Sequence, residues 1–274
     1  MASIWVNKFN LPKRVICTAY GKALTFYVKK TANQTMKFLK LPLLLPAIVC
    51  LAACSKSSNG PAPTPTPKIT PTVVILGSSS AAGDGAKPLD SAWAYRIQGV
   101  VNGNGTKANF INLAVVGYTT YQALPTGYHT ANRPAPDSNF NITKALSLKP
   151  SLVILSFPSN DIADNFTGTE TMKNYASITH LLDSAKVQYI IFGDQPRNFS
   201  NYSQRLREKT LNDTIRNVYT AHVNDFFSAL STNTYLINPI YSAGDGIHLN
   251  NSGQALIMNA TLKQPIFMEV VNGN

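Results

Sequence analysis

Five short apolar runs, separated by longer segments, constrain the fold of this chain more than any other feature. The runs occupy 72–77 (TVVILG), 108–117 (ANFINLAVVG), 150–157 (PSLVILSF), 187–193 (VQYIIFG) and 234–239 (TYLINP). Continuous apolar strands are typical of a parallel sheet that is covered on both faces. The pattern therefore predicts an α/β fold, a three-layer αβα sandwich around a parallel five-stranded sheet.

The segments between these runs have helical periodicity. We expect helices over 90–101, 168–185, 201–230 and 251–262. The second of them places Met172, Tyr175, Ile178, Leu181 and Leu182 on one face. In folds of this class ligands bind beyond the carboxyl ends of the parallel strands, so polar residues at those ends are the candidates for function.

Nearly all of the net charge of +11 lies in the first quarter of the chain. Ten of the 24 Lys and Arg residues lie in 1–71, which contains no acidic residue, and the other 14 face all 13 acidic residues. The part from 72 to 274 is thus nearly neutral and lacks the positive surface that phosphate contacts need. We expect no nucleic-acid partner.

The basic first quarter of the chain has the features of an export signal. From Met36, two lysines precede an apolar stretch and then small residues before Cys54, which is the three-part secretory pattern over 36–53. The tetrapeptide LAAC ending at Cys54 resembles a bacterial lipobox, which implies cleavage before Cys54 and lipidation of its sulfur. An ordinary secretory leader or an uncleaved anchor is the alternative. Residues 1–35 are interpreted as an upstream extension, and the Ser-, Pro- and Thr-rich segment 54–71 as a tether.

All three cysteines, Cys17, Cys50 and Cys54, precede residue 72. The part from 72 to 274 therefore has neither a disulfide nor a thiol nucleophile, and its stability depends on its apolar core. About 200 residues suffice for one such core, which predicts a single domain.

Polar residues follow three of the predicted strands, and an acid–histidine pair stands near the carboxyl terminus. The strand at 72–77 leads into Gly77-Ser78-Ser79-Ser80, the second leads to Asn112 and Gly117, and the third to Ser159-Asn160-Asp161. Asp245 and His248 lie within GDGIHLNNSG. Serine, glycine, asparagine and an Asp-x-x-His pair thus appear in order along the chain.

These four segments resemble the four blocks of the SGNH hydrolases, the GDSL esterase/lipase superfamily. The resembling segments are ILGSSSAAG, NLAVVGYTT, LSFPSND and DGIHLN, and they span 74–250. The resemblance implies a flavodoxin-like fold and ester hydrolysis. It further implies that Ser79 is the nucleophile and that the oxyanion hole comprises the backbone N–H groups of Ser79 and Gly117 with the side-chain amide of Asn160.

The residue types suit this chemistry. A serine hydroxyl becomes nucleophilic beside a general base, and His248 is suited to that role. Asp245, three residues earlier, is placed to orient the imidazole and to stabilise the imidazolium. Ser80 is the second choice of nucleophile, and the alternative role for Ser79 is that of a helix N-cap.

The chain departs from the family pattern at two positions. Ser78 stands where the family often has aspartate, and Pro158 replaces a glycine two residues before Asn160. Neither change removes a catalytic atom, but proline fixes φ and lacks an N–H. His129, His180 and His222 form no metal-ligand spacing, and we predict neither a metal nor a cofactor.

Two loops are candidates for substrate contact. The insert 118–142 carries Tyr118, Tyr121, Tyr128 and His129, whose aromatic rings suit sugars, although ordinary loop packing is the favoured explanation for them. The segment 194–199 follows the fourth predicted strand, where Gln195 or Arg197 is in a position to reach the site or to remain solvated.

The sequence as a whole predicts an exported serine esterase, anchored in the bacterial cell envelope through lipid at Cys54, that removes short acyl groups from a small-molecule or polysaccharide ester. O-acetyl groups on carbohydrate are the favoured substrate. The alternatives are a lipase, a lysophospholipase or a thioesterase on the same residues, an acyltransferase, and a catalytically silent carbohydrate-binding module. Acyl length, membrane face and oligomeric state stay open, since a fold does not select an ester.

Overall fold

The computed structural model describes residues 69–157 and 159–273. The predicted extension, signal peptide, lipidation site at Cys54 and most of the tether lie outside these residues, as does Pro158. Five strands form one parallel sheet with the order β2-β1-β3-β4-β5. Their bounds are Thr72–Gly77 (β1), Asn109–Asn112 (β2), Leu152–Ser156 (β3), Gln188–Phe192 (β4) and Val223–Asn224 (β5). The fold class predicted from the sequence is confirmed.

Helices cover both faces of this sheet. The described helices are Ser79–Ala82 (α1), Trp93–Gly103 (α2), Ile142–Ser147 (α3), Asn160–Ala163 (α4), Gly168–Ser184 (α5), Tyr202–Tyr219 (α6), Phe227–Leu230 (α7), Asn251–Thr261 (α8) and Pro265–Asn272 (α9). Short 3-10 turns occupy Leu89–Ser91, Thr220–His222 and Pro239–Tyr241. Within these residues no helix has the length and apolarity needed to cross a bilayer.

The alternation of side chains along β1 explains the three layers. Val74 and Leu76 point into a core shared with α3, α5 and α6, whereas Val73 and Ile75 point into a second core shared with α2, α8 and α9. Successive residues of a strand face opposite sides, so a strand that is apolar at every position needs a helical layer on each face. The interior position of β1, between β2 and β3, agrees with this composition.

The sequence encodes the ends of several helices locally. Thr167 and Glu170 form a capping box at the start of α5, in which each side chain accepts a hydrogen bond from the other residue's backbone N–H. Asn250 caps α8 by accepting from two backbone N–H groups. Tyr175, Ile178 and Leu182 on the inner face of α5 are buried, as the helical spacing predicts.

The prediction for the fifth strand was wrong. Residues 234–239 form no strand; Ile237 makes only an isolated antiparallel bridge with Ser231. The edge strand is instead β5, Val223–Asn224, which pairs with Ile191 and Phe192 of β4. Two residues are too few to give an apolar pattern, and β5 falls inside the region 201–230 that was predicted as one helix. That helix ends at Tyr219, and Thr220, at a φ of 41°, turns the chain toward the sheet.

The bounds of the other elements differ less from those predicted. The second strand is confined to Asn109–Asn112, so the predicted run 108–117 continues as a loop through Gly117. The helices predicted at 90–101, 168–185 and 251–262 correspond to α2, α5 and α8. Helices α3 and α9 and the short helices α1 and α4 were not predicted. α9 follows the last predicted element, whereas α3 lies between β2 and β3, where six residues are too few to show a helical period.

Candidate active site

Ser79 begins α1 immediately after β1, at the carboxyl edge of the sheet. The turn is tight because Gly77 has no side chain: a Cβ there would lie 2.6 Å from the carbonyl oxygen of Ser156 and 2.9 Å from Cβ of Ala81. The backbone N–H of Ser78 donates to the carbonyl of Ser156 at 3.0 Å, which ties the turn to β3. The hydroxyl of Ser78 is buried and has no hydrogen-bond partner among the described residues.

The structure brings the three predicted catalytic residues together in one hydrogen-bonded line. Oγ of Ser79 lies 3.0 Å from Nε2 of His248, and Nδ1 of His248 lies 2.6 Å from Oδ2 of Asp245. The first contact joins residues 169 positions apart in the chain. Among the described residues Ser79, and not Ser80, is the serine within hydrogen-bond distance of His248.

The loop that carries Asp245 and His248 is organised around the Asp245 carboxylate. Its Oδ1 accepts the backbone N–H of Ile247 at 2.9 Å and that of His248 at 2.8 Å. Partial burial raises the pKa of Asp245, but these two bonds and the contact with the His248 ring outweigh it and lower the pKa to about 2. Asp245 is therefore a carboxylate at neutral pH. In that state it stabilises a positive charge on the imidazole.

Gly117 and Asn160, the other oxyanion candidates, are connected through the residue that follows Gly117. Nδ2 of Asn160 donates to the carbonyl oxygen of Tyr118 at 2.9 Å, so the amide lies against the residue that follows Gly117. Gly117 has a φ of 81°, which favours glycine, and a Cβ there would meet no atom within 4 Å. Its N–H has no acceptor among the described residues. The second amide hydrogen of Asn160 and this N–H are both available to a ligand.

Asn160 begins the short helix α4, and its neighbour Asp161 anchors that helix. Asp161 is buried; one oxygen accepts the backbone N–H of Thr120 and the other accepts the hydroxyls of Thr120 and Thr171. Burial raises the pKa of Asp161, while these hydrogen bonds oppose the shift. These bonds join the loop after Gly117, α4 and α5 next to Asn160.

Arg197 supports Asn160 from the loop after β4. Its Nη1 donates to Oδ1 of Asn160 at 3.3 Å, and its guanidinium lies 5.1 Å from the ring centre of Phe199. The backbone N–H of Arg197 donates to Oε2 of Glu208 at 3.1 Å. Of the two alternatives for this arginine, contact with the site is the one that the structure supports.

Two buried carboxyl groups contact the loops that follow β3 and β4. Asp194 accepts a hydrogen bond from the backbone of Ser159, and burial raises its pKa. Burial, with the nearby charge of Asp194, also raises the pKa of Glu208 well above its usual range. One oxygen of each group has no partner among the described residues. Burial therefore favours the uncharged form of both carboxyls, which hold the loops through these hydrogen bonds.

The tyrosines of the insert 118–142 contribute mainly to packing. The hydroxyl of Tyr118 donates to Asp137 at 2.5 Å, and that of buried Tyr121 donates to Glu170 at 2.9 Å, so neither hydroxyl points to a ligand. Tyr128 and His129 are exposed. Of the other histidines, His222 stacks on Tyr189 and His180 lies on the exposed face of α5. Across the described residues no three His, Cys, Asp or Glu side chains converge as metal ligands would.

The sequence reasoning missed Asp84, which lies beside the catalytic line of Ser79, His248 and Asp245, and it left the role of Gln195 open. Oδ2 of Asp84 lies 3.8 Å from Nε2 of His248. Nε2 of Gln195 donates to the carbonyl of Ile247 at 2.6 Å and so holds the histidine loop. The only local signal for Asp84 was its place between Gly83 and Gly85, a pattern that is equally typical of a solvated turn.

Comparisons with known proteins bear on the family and the fold of this chain. The sequence profile of the GDSL-like lipase/acylhydrolase family matches residues 75–256. A lipase/acylhydrolase from Enterococcus faecalis superposes with a TM-score of 0.55 at 20% identity, covering 74% of this chain and 97% of that one. A GDSL-like lipase from Bacteroides thetaiotaomicron gives a TM-score of 0.52 at 20% identity, with 71% and 87% covered. At these identities the two structures establish the fold alone. No curated protein sequence gives a significant match.

Proposed function

The chain belongs to the GDSL-like lipase/acylhydrolase family, and from that premise we propose that it is a serine esterase in which Ser79, His248 and Asp245 carry the reaction. The observation that carries the proposal is the continuous line from Ser79 Oγ through His248 to Asp245, at 3.0 and 2.6 Å. A serine so placed has a general base within reach, and the base has an acid that fixes its tautomer.

In the proposed mechanism Ser79 Oγ attacks the ester carbonyl carbon while Nε2 of His248 takes the hydroxyl proton. The N–H groups of Ser79 and Gly117 and the amide of Asn160 donate to the oxyanion that forms. His248 then passes its proton to the leaving alcohol, and the acyl group stays on Ser79. Water then attacks the acyl carbon while His248 takes one of its protons. The bond from the acyl carbon to Ser79 Oγ breaks, His248 returns the proton to Oγ, and the carboxylic acid leaves.

The proposed substrate is a short acyl ester of a carbohydrate, with O-acetyl groups as the leading example. The proposed setting is the bacterial cell envelope, with lipid at Cys54 as the anchor. Support for both comes from the sequence: a lipobox-like segment, a tether of Ser, Pro and Thr residues, and a nearly neutral domain beyond them. A polymer-bound substrate suits an enzyme held at a surface by such a tether.

A second candidate is hydrolysis of long-chain acyl esters, and one observation favours it. An apolar groove of about 770 Å³ runs between α5 and α6 and is lined by Met172, Leu206 and Leu211. Ile162 of α4, two residues after Asn160, also lines this groove. A long acyl chain that followed α4 away from the oxyanion hole would reach it.

One experiment tests the proposal and separates the two candidates. The purified protein and its Ser79→Ala variant are assayed with p-nitrophenyl acetate and p-nitrophenyl octanoate. We expect the variant to lose about 10⁴-fold or more in kcat, since it lacks the nucleophile. A preference for acetate supports the short-acyl substrate, and a preference for octanoate supports the second candidate. Equal rates for a folded variant and wild type would overturn the mechanism, and absent labelling of Ser79 by a fluorophosphonate would favour the binding module.

A further inference from the structure

Asp84 stands next to the reacting atoms without belonging to the catalytic line. Its Oδ2 lies 3.8 Å from Nε2 of His248, the nitrogen that also faces Ser79 Oγ. The side chain of Asp84 is 40% exposed, and no side-chain or backbone donor among the described residues forms a hydrogen bond with its carboxylate. A free carboxylate is thus held at the mouth of the site.

The position of Asp84 is fixed by its backbone. Its N–H donates to the carbonyl of Ser79 at 2.9 Å, and its own carbonyl accepts from Nε2 of Gln254 at 3.2 Å. The next residue, Gly85, has a φ of 86°, and a Cβ there would lie 2.3 Å from the carbonyl oxygen of Leu249 and 2.8 Å from Cβ of His248. The turn that carries Asp84 therefore packs directly against the loop that carries His248.

This placement defines which part of an ester Asp84 meets. In the proposed mechanism Nε2 of His248 gives its proton to the leaving alcohol, so the alcohol oxygen passes through the space beside Nε2. A carboxylate there accepts hydrogen bonds from hydroxyl groups on the alcohol, and such charge-assisted bonds are stronger than neutral ones. The same carboxylate repels an alcohol that carries a negative charge.

We propose that Asp84 is a specificity-determining residue that selects a neutral alcohol with a hydroxyl group beside the ester oxygen, as in the vicinal hydroxyls of a sugar ring. The inference rests on the proposed esterase function and assigns the alcohol side of the substrate. Asp245 does not compete for this role, because its carboxylate is occupied by His248 and Ile247.

A second physical effect of Asp84 has a different signature. A carboxylate at 3.8 Å also stabilises a protonated His248, which forms in the reaction of every ester. That effect lowers the rates of all substrates together when the charge is removed. Recognition of the alcohol changes the ratio between substrates that differ only in a hydroxyl group. The test therefore compares ratios.

The probes are cyclohexyl acetate, trans-2-hydroxycyclohexyl acetate and the anion 2-acetoxycyclohexanecarboxylate, with acetate release as the readout. The full-length protein is compared with Asp84→Ala, Asp84→Asn and Ser79→Ala. Asp183→Ala is the matched control for charge: Asp183 is an exposed acid in the last turn of α5, at the end of the sheet opposite the site.

We expect the wild type to prefer the hydroxy ester over cyclohexyl acetate by about 10-fold in kcat/KM, the usual effect of one hydrogen bond to a charged group. Asp84→Ala should bring this ratio near 1. Asp84→Asn should raise kcat/KM for the anionic ester relative to the other two, while Asp183→Ala keeps the wild-type ratios.

Two results would overturn the inference while leaving the esterase intact: a wild-type ratio near 1, or a loss in Asp84→Ala that is equal for all three esters. A third result reaches further. The wild type could show no Ser79-dependent cleavage of these three esters or of the p-nitrophenyl esters. The proposed esterase function would then be wrong, and the inference about Asp84 would be wrong with it.

Discussion

Two groups of acidic residues lie around the site, and they are built in opposite ways. Asp245, on the histidine side, has a side chain that is 46% exposed and a carboxylate with three hydrogen-bond partners, and its pKa is lowered to about 2. Asp194 and Glu208, beneath the oxyanion side, are almost fully buried, and burial raises both of their pKa values. The same functional group is thus held charged on one side, whereas burial favours its uncharged form on the other.

The difference matches the charge that develops on each side during the proposed reaction. The histidine side develops a positive imidazolium, which a carboxylate stabilises. The oxyanion side develops a negative charge, which a nearby carboxylate would oppose. Asp194 and Glu208 keep their structural hydrogen bonds to Ser159 and Arg197, while burial shifts both carboxyls toward the uncharged form.

The largest expected effect comes from removing the charge on the histidine side. Asp245→Asn should lower kcat about 10³–10⁴-fold, because the amide favours the wrong imidazole tautomer and cannot stabilise the imidazolium as a carboxylate does. Steady-state kinetics with p-nitrophenyl acetate measure it, with Asp183→Asn as the control. A loss below tenfold in a folded variant would show that His248 works without Asp245.

An intermediate effect is expected on the oxyanion side. Asn160→Ala removes one donor and should lower kcat about 10²–10³-fold with a smaller change in KM, because the donor acts on the transition state. Asn217, exposed on α6, supplies the control variant Asn217→Ala. If Asn160→Ala raises KM and leaves kcat as it was, Asn160 binds the ground state and the assignment to the oxyanion hole is wrong.

The smallest effect concerns stability and the buried carboxyls. Native Asp194 keeps its proton at pH values where the unfolded chain, with a carboxyl pKa of about 3.9, has lost it. The unfolded state then binds fewer protons, so the free energy of unfolding falls as pH rises above about 4. In Asp194→Asn the side chain at position 194 does not titrate. The free energy of unfolding of this variant should therefore fall less than that of the wild type between pH 5 and pH 8.

Urea unfolding at these two pH values measures the difference. Glu208 keeps its own contribution to the slope in the variant, so the dependence on pH should weaken without vanishing. Asp183→Asn, at an exposed acid, should follow the wild-type profile. If Asp194→Asn has the same pH dependence as wild type, Asp194 is ionised in the native protein and the contrast between the two sides is lost.

Much of the fold was predictable because its signals are local. The strands β1, β3 and β4 are apolar at nearly every position, and α5 has both a helical apolar face and a capping box within its own sequence. The short edge strand β5 had no such signal. Two residues acquire strand geometry there only because β4 offers a free edge at Ile191 and Phe192.

The residue types of the site and their order along the chain were determined by the sequence alone: a serine after β1, a glycine after β2, an asparagine after β3 and an Asp-x-x-His pair near the end. Tertiary structure decided what the side chains do. It placed Ser79 rather than Ser80 at His248, Arg197 on Asn160, and Asp84 beside Nε2. The physical reason is that hydrogen bonding and burial depend on distances between segments far apart in the chain, whereas propensity and periodicity report only on neighbours.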